Sequence, residues 1–409
     1  MNKILKGSII LSAGNLSVRV LGHIYRILMG KMLLPYEFGL LNLALPFQYM
    51  IFIISSSGIA PSVARFVAKE RKEERNKIIF SSLFYFFLTG MALAIALIIL
   101  SPSIGKHIFH AQEVVILLKI SAIAIPIGFV ISSSTGTFQG FKKFEYMAYT
   151  LVSLQMARII IAFLLVSGLR EIGAISGSTL GFIAILPIVL IFFRKLKVEA
   201  CSPSFETFKE IFLFSLPVAT TAFATFILTY IDILLLGYFL SPDEVGIYSA
   251  ASPTSRLILA FTSAIYATLL PSISELHAKK KREEIMQSLT YAYKLCIAVL
   301  LPTLTLAIVF APWIIIILFN ESYMQATQPF RILVIGSAFL GIFMVNSGVF
   351  QGIGKPQIPM KILSLAAALD FVLNLILIPK FGIIGSAIAT SSSLSFAGIF
   401  STIILRSKI

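Results

Sequence analysis

Apolar residues gather in twelve stretches, at about 5–34, 39–64, 78–100, 114–139, 147–167, 173–193, 210–238, 246–270, 288–311, 327–351, 358–379 and 382–405. A helix needs about 20 apolar residues to cross a bilayer, so each stretch predicts one transmembrane helix. Twelve crossings put both chain ends on one side. The first stretch, Ile4 to Leu34, is too long for a signal-peptide core and has no small-residue cleavage pattern, so it is expected to stay as a helix.

Polar residues interrupt these stretches with helical spacing. In helix 1, Ser8, Ser12, Asn15, Arg19, His23 and Arg26 recur every three or four positions and share one face, while Ile9, Ile10, Leu16, Val20, Ile24 and Ile27 form the apolar remainder. Helix 8 repeats the pattern with Ser249, Ser252, Arg256 and Ser263. Such stripes line an aqueous cavity or join helices by polar contacts, with Arg26 near enough to a helix end to reach the surface. Pro46 and Pro253 sit beside the stripes and free backbone carbonyls, so each marks a bend or a hinge.

The two halves of the chain echo each other. Pro35-x-Glu37-x-Gly39 with Ala44-x-Pro46 recurs as Pro242-x-Glu244-x-Gly246 with Ala251-x-Pro253, and Pro61-Ser62-Val63 recurs as Pro271-Ser272-Ile273. Gly136-x-Phe138-Gln139-Gly140 recurs as Gly348-x-Phe350-Gln351-Gly352, and Gly173-Ala174-Ile175 leads a run echoed from Gly382. Under an offset of 207, Ser249, Arg256 and Ser263 overlie Asn42, Tyr49 and Ser56; under 212, Asp370 overlies Arg158. Six helices separate the copies, which gives parallel repeats related by an axis along the membrane normal. The predicted fold is therefore an all-α polytopic membrane protein of about twelve helices, in two pseudo-symmetric six-helix lobes, 1–200 and 201–409, around a central cavity.

Composition agrees with a membrane protein: 58% of residues are hydrophobic, 12% are charged and mean hydropathy is +0.96, where soluble domains are roughly a quarter charged. The net charge of +15 would suggest nucleic acid in a soluble chain. Here twenty-one of the 33 basic residues lie in the termini and the loops on their side, and four (Lys31, Lys106, Arg170 and Lys380) lie opposite. Basic residues collect in cytoplasmic loops, so both termini are expected in the cytoplasm and no nucleic acid is expected as partner. Cys201 and Cys296 are too few for a disulfide framework or metal site. His107 and His110 read as exposed loop histidines, and Trp313 as an interfacial anchor. No phosphate-binding glycine loop, nucleophile and base pair, or zinc spacing is present, so no catalytic residue, metal or enzyme activity is expected.

An ionisable residue inside a span costs several kcal/mol and faces a cavity or a partner. Asp232 reads either as a proton or sodium site or as a capped carboxylate; Arg158 and Asp370, the latter with Asn374, either as an ion pair or as coupling residues. Arginine stays charged and its fork of donors matches phosphate and carboxylate. With Arg19 and Arg256, joined by Arg26 and Arg158, set against Asp232 and Asp370, the balance favours an anionic substrate. Asn15, Tyr49 and Ser252 on the stripes are suited to bind sugar hydroxyls.

Arg19-Val20-Leu21-Gly22, with Arg26 and Ala44-Leu45-Pro46 following, resembles the start of flippases of the stage V sporulation protein B and lipid II type. Gln351-Gly352-x-Gly354-Lys355-Pro356, then Asp370-x3-Asn374-x3-Ile378-Pro379-x-Phe381-Gly382, resembles the polysaccharide-biosynthesis flippase pattern. Together they resemble the multidrug/oligosaccharidyl-lipid/polysaccharide exporter superfamily. That resemblance implies alternating access on a polyprenyl- or dolichyl-linked glycan drawn from membrane lipid; a monomer, driven by Na+, H+ or the membrane potential, is expected. It implies substrate-binding roles for Arg19 and Arg256, with Arg26 one position off the pattern. A cation-coupled multidrug antiporter of the same superfamily is the second reading, and it would need Asp232 or Asp370.

Overall fold

The computed structural model describes the backbone of residues 3–54 and 58–408; the side chains of 3–6, 8, 9, 51, 52, 54, 217–225, 228 and 408 lie outside that description, and so therefore do Ser8 of the helix 1 stripe and Ser56, the repeat counterpart of Ser263. The described residues are helical almost throughout. In order they form α1 (Lys3–Met32), α2 (Pro35–Ile54), α3 (Ala60–Lys69), α4 (Lys72–Ser103), α5 (Val114–Gly140), α6 (Phe144–Ala184) and α7 (Leu186–Lys195). Then follow α8 (Phe205–Phe239), α9 (Pro242–Ser255), α10 (Leu259–Ala278), α11 (Arg282–Val309), the short α12 (Ala311–Leu318), α13 (Thr327–Gly352) and α14 (Gln357–Lys408).

Two helical runs are twice the length a crossing needs, Phe144–Lys195 at 52 residues and Gln357–Ser407 at 51. Each bends sharply once, at Arg170 (φ 50°, ψ −130°) and at Gly382 (φ 56°, ψ −135°). Those positions are 212 apart, so the bends are the same turn in the two repeats, and each run is a pair of antiparallel crossings. With these counted as pairs, and α2–α3 and α9–α10 as one crossing each, the described helices give the twelve crossings expected. Large apolar side chains face outward, among them Ile99 (70% exposed), Leu164 (66%) and Trp313 (65%), as lipid contact requires.

The bends correct one repeat register. Letter matching sets Gly173 on Gly382, whereas the structure sets Gly173 on Gly385. A Cβ on Gly173 would lie 2.4 Å from the Leu165 carbonyl oxygen, and one on Gly385 would lie 2.1 Å from that of Leu377. Each glycine lets the two arms of its hairpin touch through backbone.

The Pro-x-Glu echo is a device for starting helices. Pro35 and Pro242 take the first helical position, where no N–H is needed. Glu37 accepts from the Leu34 backbone N–H (2.9 Å) and Glu244 from that of Ser241 (3.2 Å), with Ser241 completing a capping box. Glu37 also pairs with Arg170 at the hairpin bend (2.7 Å). The Arg170 backbone lies in a region suited to glycine, which its repeat partner Gly382 uses. Such strain costs about 1–3 kcal/mol, against about 0–1 kcal/mol for an exposed ion pair. Arg170→Gly is therefore expected to stabilise the protein by about 1 kcal/mol, read as a higher unfolding midpoint in detergent. A lower midpoint would mean that the tie to Glu37 outweighs the strain.

Packing divides the chain into Met1–Ile231 and Asp232–Ile409, whereas the lobe boundary expected at 200/201 lies in the loop before α8. The start of α8 belongs with the first unit because it leans on α4 and α3. Lys72 pairs with Glu199, the Ser204 N–H donates to Ser81 (2.8 Å), and Tyr85 stacks on Phe208. Arg65 lies over the Phe214 ring. In the second unit Ile273, Leu289, Val349 and Phe350 form the centre of the core, with Gly352 pressed on Ile273.

Candidate functional site

In the first unit the site grows around Arg158, midway along the first arm of α6 and 3% exposed. Its Nε donates to Ser178 Oγ (3.0 Å), Nη1 to Gln155 Oε1 (3.3 Å) and Nη2 to Tyr49 Oη (3.1 Å). The guanidinium carbon is 5.4 Å from the ring centres of Tyr25 and Tyr49 and 5.8 Å from that of Phe182. The hairpin makes the room for it: a Cβ on Gly181 would lie 2.4 Å from Arg158 Cγ. Ser178 passes its own proton to Gln48 Oε1 (2.7 Å), and Gln48 Nε2 donates to Thr179 (3.4 Å). Tyr25 Oη donates to the Ala174 carbonyl (3.0 Å), and the Tyr49 ring stacks on Tyr230. Within its unit Arg158 is thus held by neutral partners.

In the second unit a carboxylate cluster occupies the matching place. Asp232 is buried; its Oδ1 accepts from the Ile233 N–H (2.8 Å) and its Oδ2 from Tyr248 Oη (3.0 Å). Tyr248 Oη also lies 3.5 Å from Thr390 Oγ1. Asp370, at the edge of burial, accepts at Oδ1 from Asn374 Nδ2 (3.1 Å), which also donates to the Asp370 carbonyl (2.9 Å). Asn374 Oδ1 is buried with no hydrogen-bond partner among the described residues. Arg256 acts electrostatically on both carboxylates. It opens a short 3₁₀ turn, Arg256–Ile258, that breaks the crossing between α9 and α10 just after Pro253.

The structure therefore brings together Asp232, Asp370 and Asn374 within the field of Arg256, and it joins Tyr49 to Arg158. Ser252 is buried in α9. On α1, Asn15 and Arg19 are exposed and Arg26 is half-buried. That helix packs on α6 through small residues, Gly7 against Phe144 and Gly14 against Ala148, so its polar stripe lies on a flank of the contact. Leu16, Val20 and Ile24 are exposed as well and serve no packing within the unit.

Tyr25, Gln48, Ser178, Tyr248 and Thr390 were not foreseen as site residues. The offsets hold the signal that finds some of them. At 207, Tyr25 falls on Asp232 and Tyr49 on Arg256; at 212, Arg158 falls on Asp370 and Ser178 on Thr390. The two units use one scaffold to bury a cation among phenols in one case and carboxylates in the other.

A family model described as polysaccharide biosynthesis protein matches residues 4–277. The chain belongs to the polysaccharide biosynthesis protein family. A second model, MatE, matches residues 217–376. The chain is 28% identical, over 98% of both lengths, to the uncharacterized membrane protein MJ1375 of Methanocaldococcus jannaschii. It is 25% identical to the probable low-salt glycan biosynthesis flippase Agl15 of Haloferax volcanii, over 50% of this chain and 43% of that one. The solved lipid II flippase MurJ, in an inward closed conformation, matches with TM-score 0.81 at 20% identity, covering 97% of this chain and 87% of its own. An inward-facing MATE transporter of the MOP superfamily matches with TM-score 0.79 at 15% identity, covering 96% of this chain and 94% of its own. The fold is thus the twelve-helix, two-lobed fold of MOP transporters, and the chain is a multi-pass membrane protein of a family of transporters and flippases.

Proposed function

We propose that the protein is a flippase, not an enzyme, that moves an anionic polyprenyl-pyrophosphate-linked oligosaccharide from the cytoplasmic to the outer leaflet by alternating access. It works as a monomer in the cytoplasmic membrane with both termini inside. The observation that carries this reading is Arg256, a half-buried arginine at a break in a membrane-spanning helix of a polysaccharide-biosynthesis family member. A permanent charge placed there serves best where an anion comes to it, and a 3₁₀ break within a helix is where such a segment bends. Arg19 and Arg26, with Asn15, Tyr49 and Ser252, supply further contacts for phosphate and sugar.

Coupling belongs to Asp232, Asp370 and Asn374. Two carboxylates with the unpartnered Asn374 Oδ1 and the Thr390 hydroxyl beside them make an oxygen-only donor set of the kind hard cations prefer. That chemistry suits Na+, and the carboxylates alone suit H+.

The test is protein in liposomes with a fluorescent polyprenyl-pyrophosphoryl sugar, scored by access of a membrane-impermeant quencher. The intact protein should equilibrate the lipid between leaflets, and Arg256→Ala should slow it at least tenfold with helical content unchanged. Flipping at the original rate in that variant would remove Arg256 from the role. The carboxylate cluster and the MatE match over 217–376 favour one other reading, a cation-coupled multidrug antiporter; export of cationic dyes without flipping of the glycolipid would establish it instead.

A further inference from the structure

Arg158 presents an imbalance that transport of a glycolipid does not explain. A guanidinium keeps its charge in proteins, and a charge buried without a counter-ion costs several kcal/mol. The partners of Arg158 within its unit are two hydroxyls, an amide oxygen and three aromatic rings. None of the ion pairs among the described residues includes it. The half-buried Arg26, next to Tyr25, adds a second positive charge within electrostatic reach of the same tyrosines.

Donors outnumber acceptors here. The three bonds use three of the five guanidinium N–H groups. Tyr49 accepts from Arg158, which leaves its own O–H to donate. The Gln155 amide is turned so that its oxygen meets Arg158. Ser178 accepts from Arg158 and donates to Gln48, which donates to Thr179, and being neutral neither supplies negative charge. The matching place in the second unit has the reverse surplus, of acceptors and negative charge, built on equivalent positions of the repeat. The excess of donors and charge in the first unit is therefore particular to what this unit holds, not a by-product of the fold.

We propose that Arg158 and the Tyr49 hydroxyl form a binding site for a small monovalent anion, chloride under cellular conditions, which supplies the missing counter-charge in the first unit. The rings of Tyr25, Tyr49 and Phe182 and the close contact with Gly181 enclose the guanidinium. A guanidinium closed in this way, at 3% exposure, argues for a single small ion as its counter-charge and against a bulky pyrophosphate-linked glycan. The site shares Tyr49 with the sugar contacts proposed above, and its test needs no transport.

The experiment uses the purified full chain in detergent, at constant ionic strength, with gluconate exchanged stepwise for chloride or bromide while the thermal unfolding midpoint is followed. A ligand of the folded state raises that midpoint in proportion to the logarithm of its concentration once saturating. Chloride and bromide should each raise it saturably, by a few degrees, and gluconate should not. Arg158→Gln should abolish the rise. Tyr49→Phe keeps the ring, so it should fold even if Arg158→Gln does not, and it should raise the halide concentration at half-effect at least fivefold. Anomalous diffraction from bromide-soaked crystals should place the ion beside Arg158. A midpoint that follows ionic strength alone would overturn the proposal, as would a halide response kept in both variants. A rise with polyprenyl pyrophosphate in gluconate but none with halide would also overturn it, because the anion would then be the substrate's own phosphate.

Discussion

Asp370→Asn is expected to leave the protein folded and to remove the dependence of transport on an imposed cation gradient. The substitution preserves shape, and an amide can still accept from Asn374, so the packing of α14 is kept. What changes is charge. Removing one unit of charge from a cation's surroundings at about 4 Å costs on the order of 4 kcal/mol at an effective dielectric constant of 20, close to a thousandfold in binding. Transport driven by that cation should fall at least tenfold. Asp232→Asn should act in the same direction, with an added structural cost, because Tyr248 Oη then meets an amide where it now donates to a carboxylate (3.0 Å). The measurement is flipping in liposomes under separate sodium and pH gradients at clamped potential. Response to sodium alone in the intact protein, lost in Asp370→Asn, identifies the ion. Unchanged transport in both variants would remove the cluster from coupling and leave it a buried polar network.

How much of this could be read from the sequence depends on the kind of signal. Crossings were legible because about 20 apolar residues in a row admit few other readings, and the double runs were already split at the positions where Arg170 and Gly382 bend. The in-span charges were legible because they are costly in lipid, and Asp232, Asp370 and Asn374 do meet. The Pro-x-Glu-x-Gly echo was visible, yet its meaning as a helix start and hairpin tie appears only when Glu37 is seen holding both Leu34 and Arg170. Tyr25 and Tyr248 were hidden because a tyrosine among apolar residues reads as core; only its hydroxyl partner distinguishes it. The register of Gly173 was misread because matching letters favours Gly382, while the structure selects the glycine at which two backbones touch. For the same reason the polar stripe of α1 identified a special face, whereas the packing face of that helix is set by Gly7 and Gly14.

Gly385→Ala is expected to be the most destabilising single-methyl substitution in the second unit, and to disable its cation cluster as well. The added Cβ would stand 2.1 Å from the Leu377 carbonyl oxygen and 2.6 Å from its carbon. Both are backbone atoms, so no side-chain rotation relieves the clash and the two arms of α14 must part. Overpacking costs about 1–3 kcal/mol where side chains can yield; with backbone on both sides, about 3 kcal/mol or more is expected. Asp370 and Asn374 lie on one arm and Ser386 and Thr390 on the other, so parting the arms pulls the cluster open. Gly173→Ala should do the same in the first unit, drawing Ser178 away from Arg158. Gly354→Ala separates this effect from the general cost of replacing a glycine. Gly354 has φ +76° and nothing within 4 Å of an added Cβ, so it should lose only about 1 kcal/mol, from backbone conformation. Unfolding midpoints in detergent, with the cation dependence of flipping on the same samples, rank the three. If Gly385→Ala matched Gly354→Ala in both readouts, the hairpin would have slack at that contact, and the cluster would owe its geometry to Tyr248 and Asn374 rather than to the closeness of the two arms.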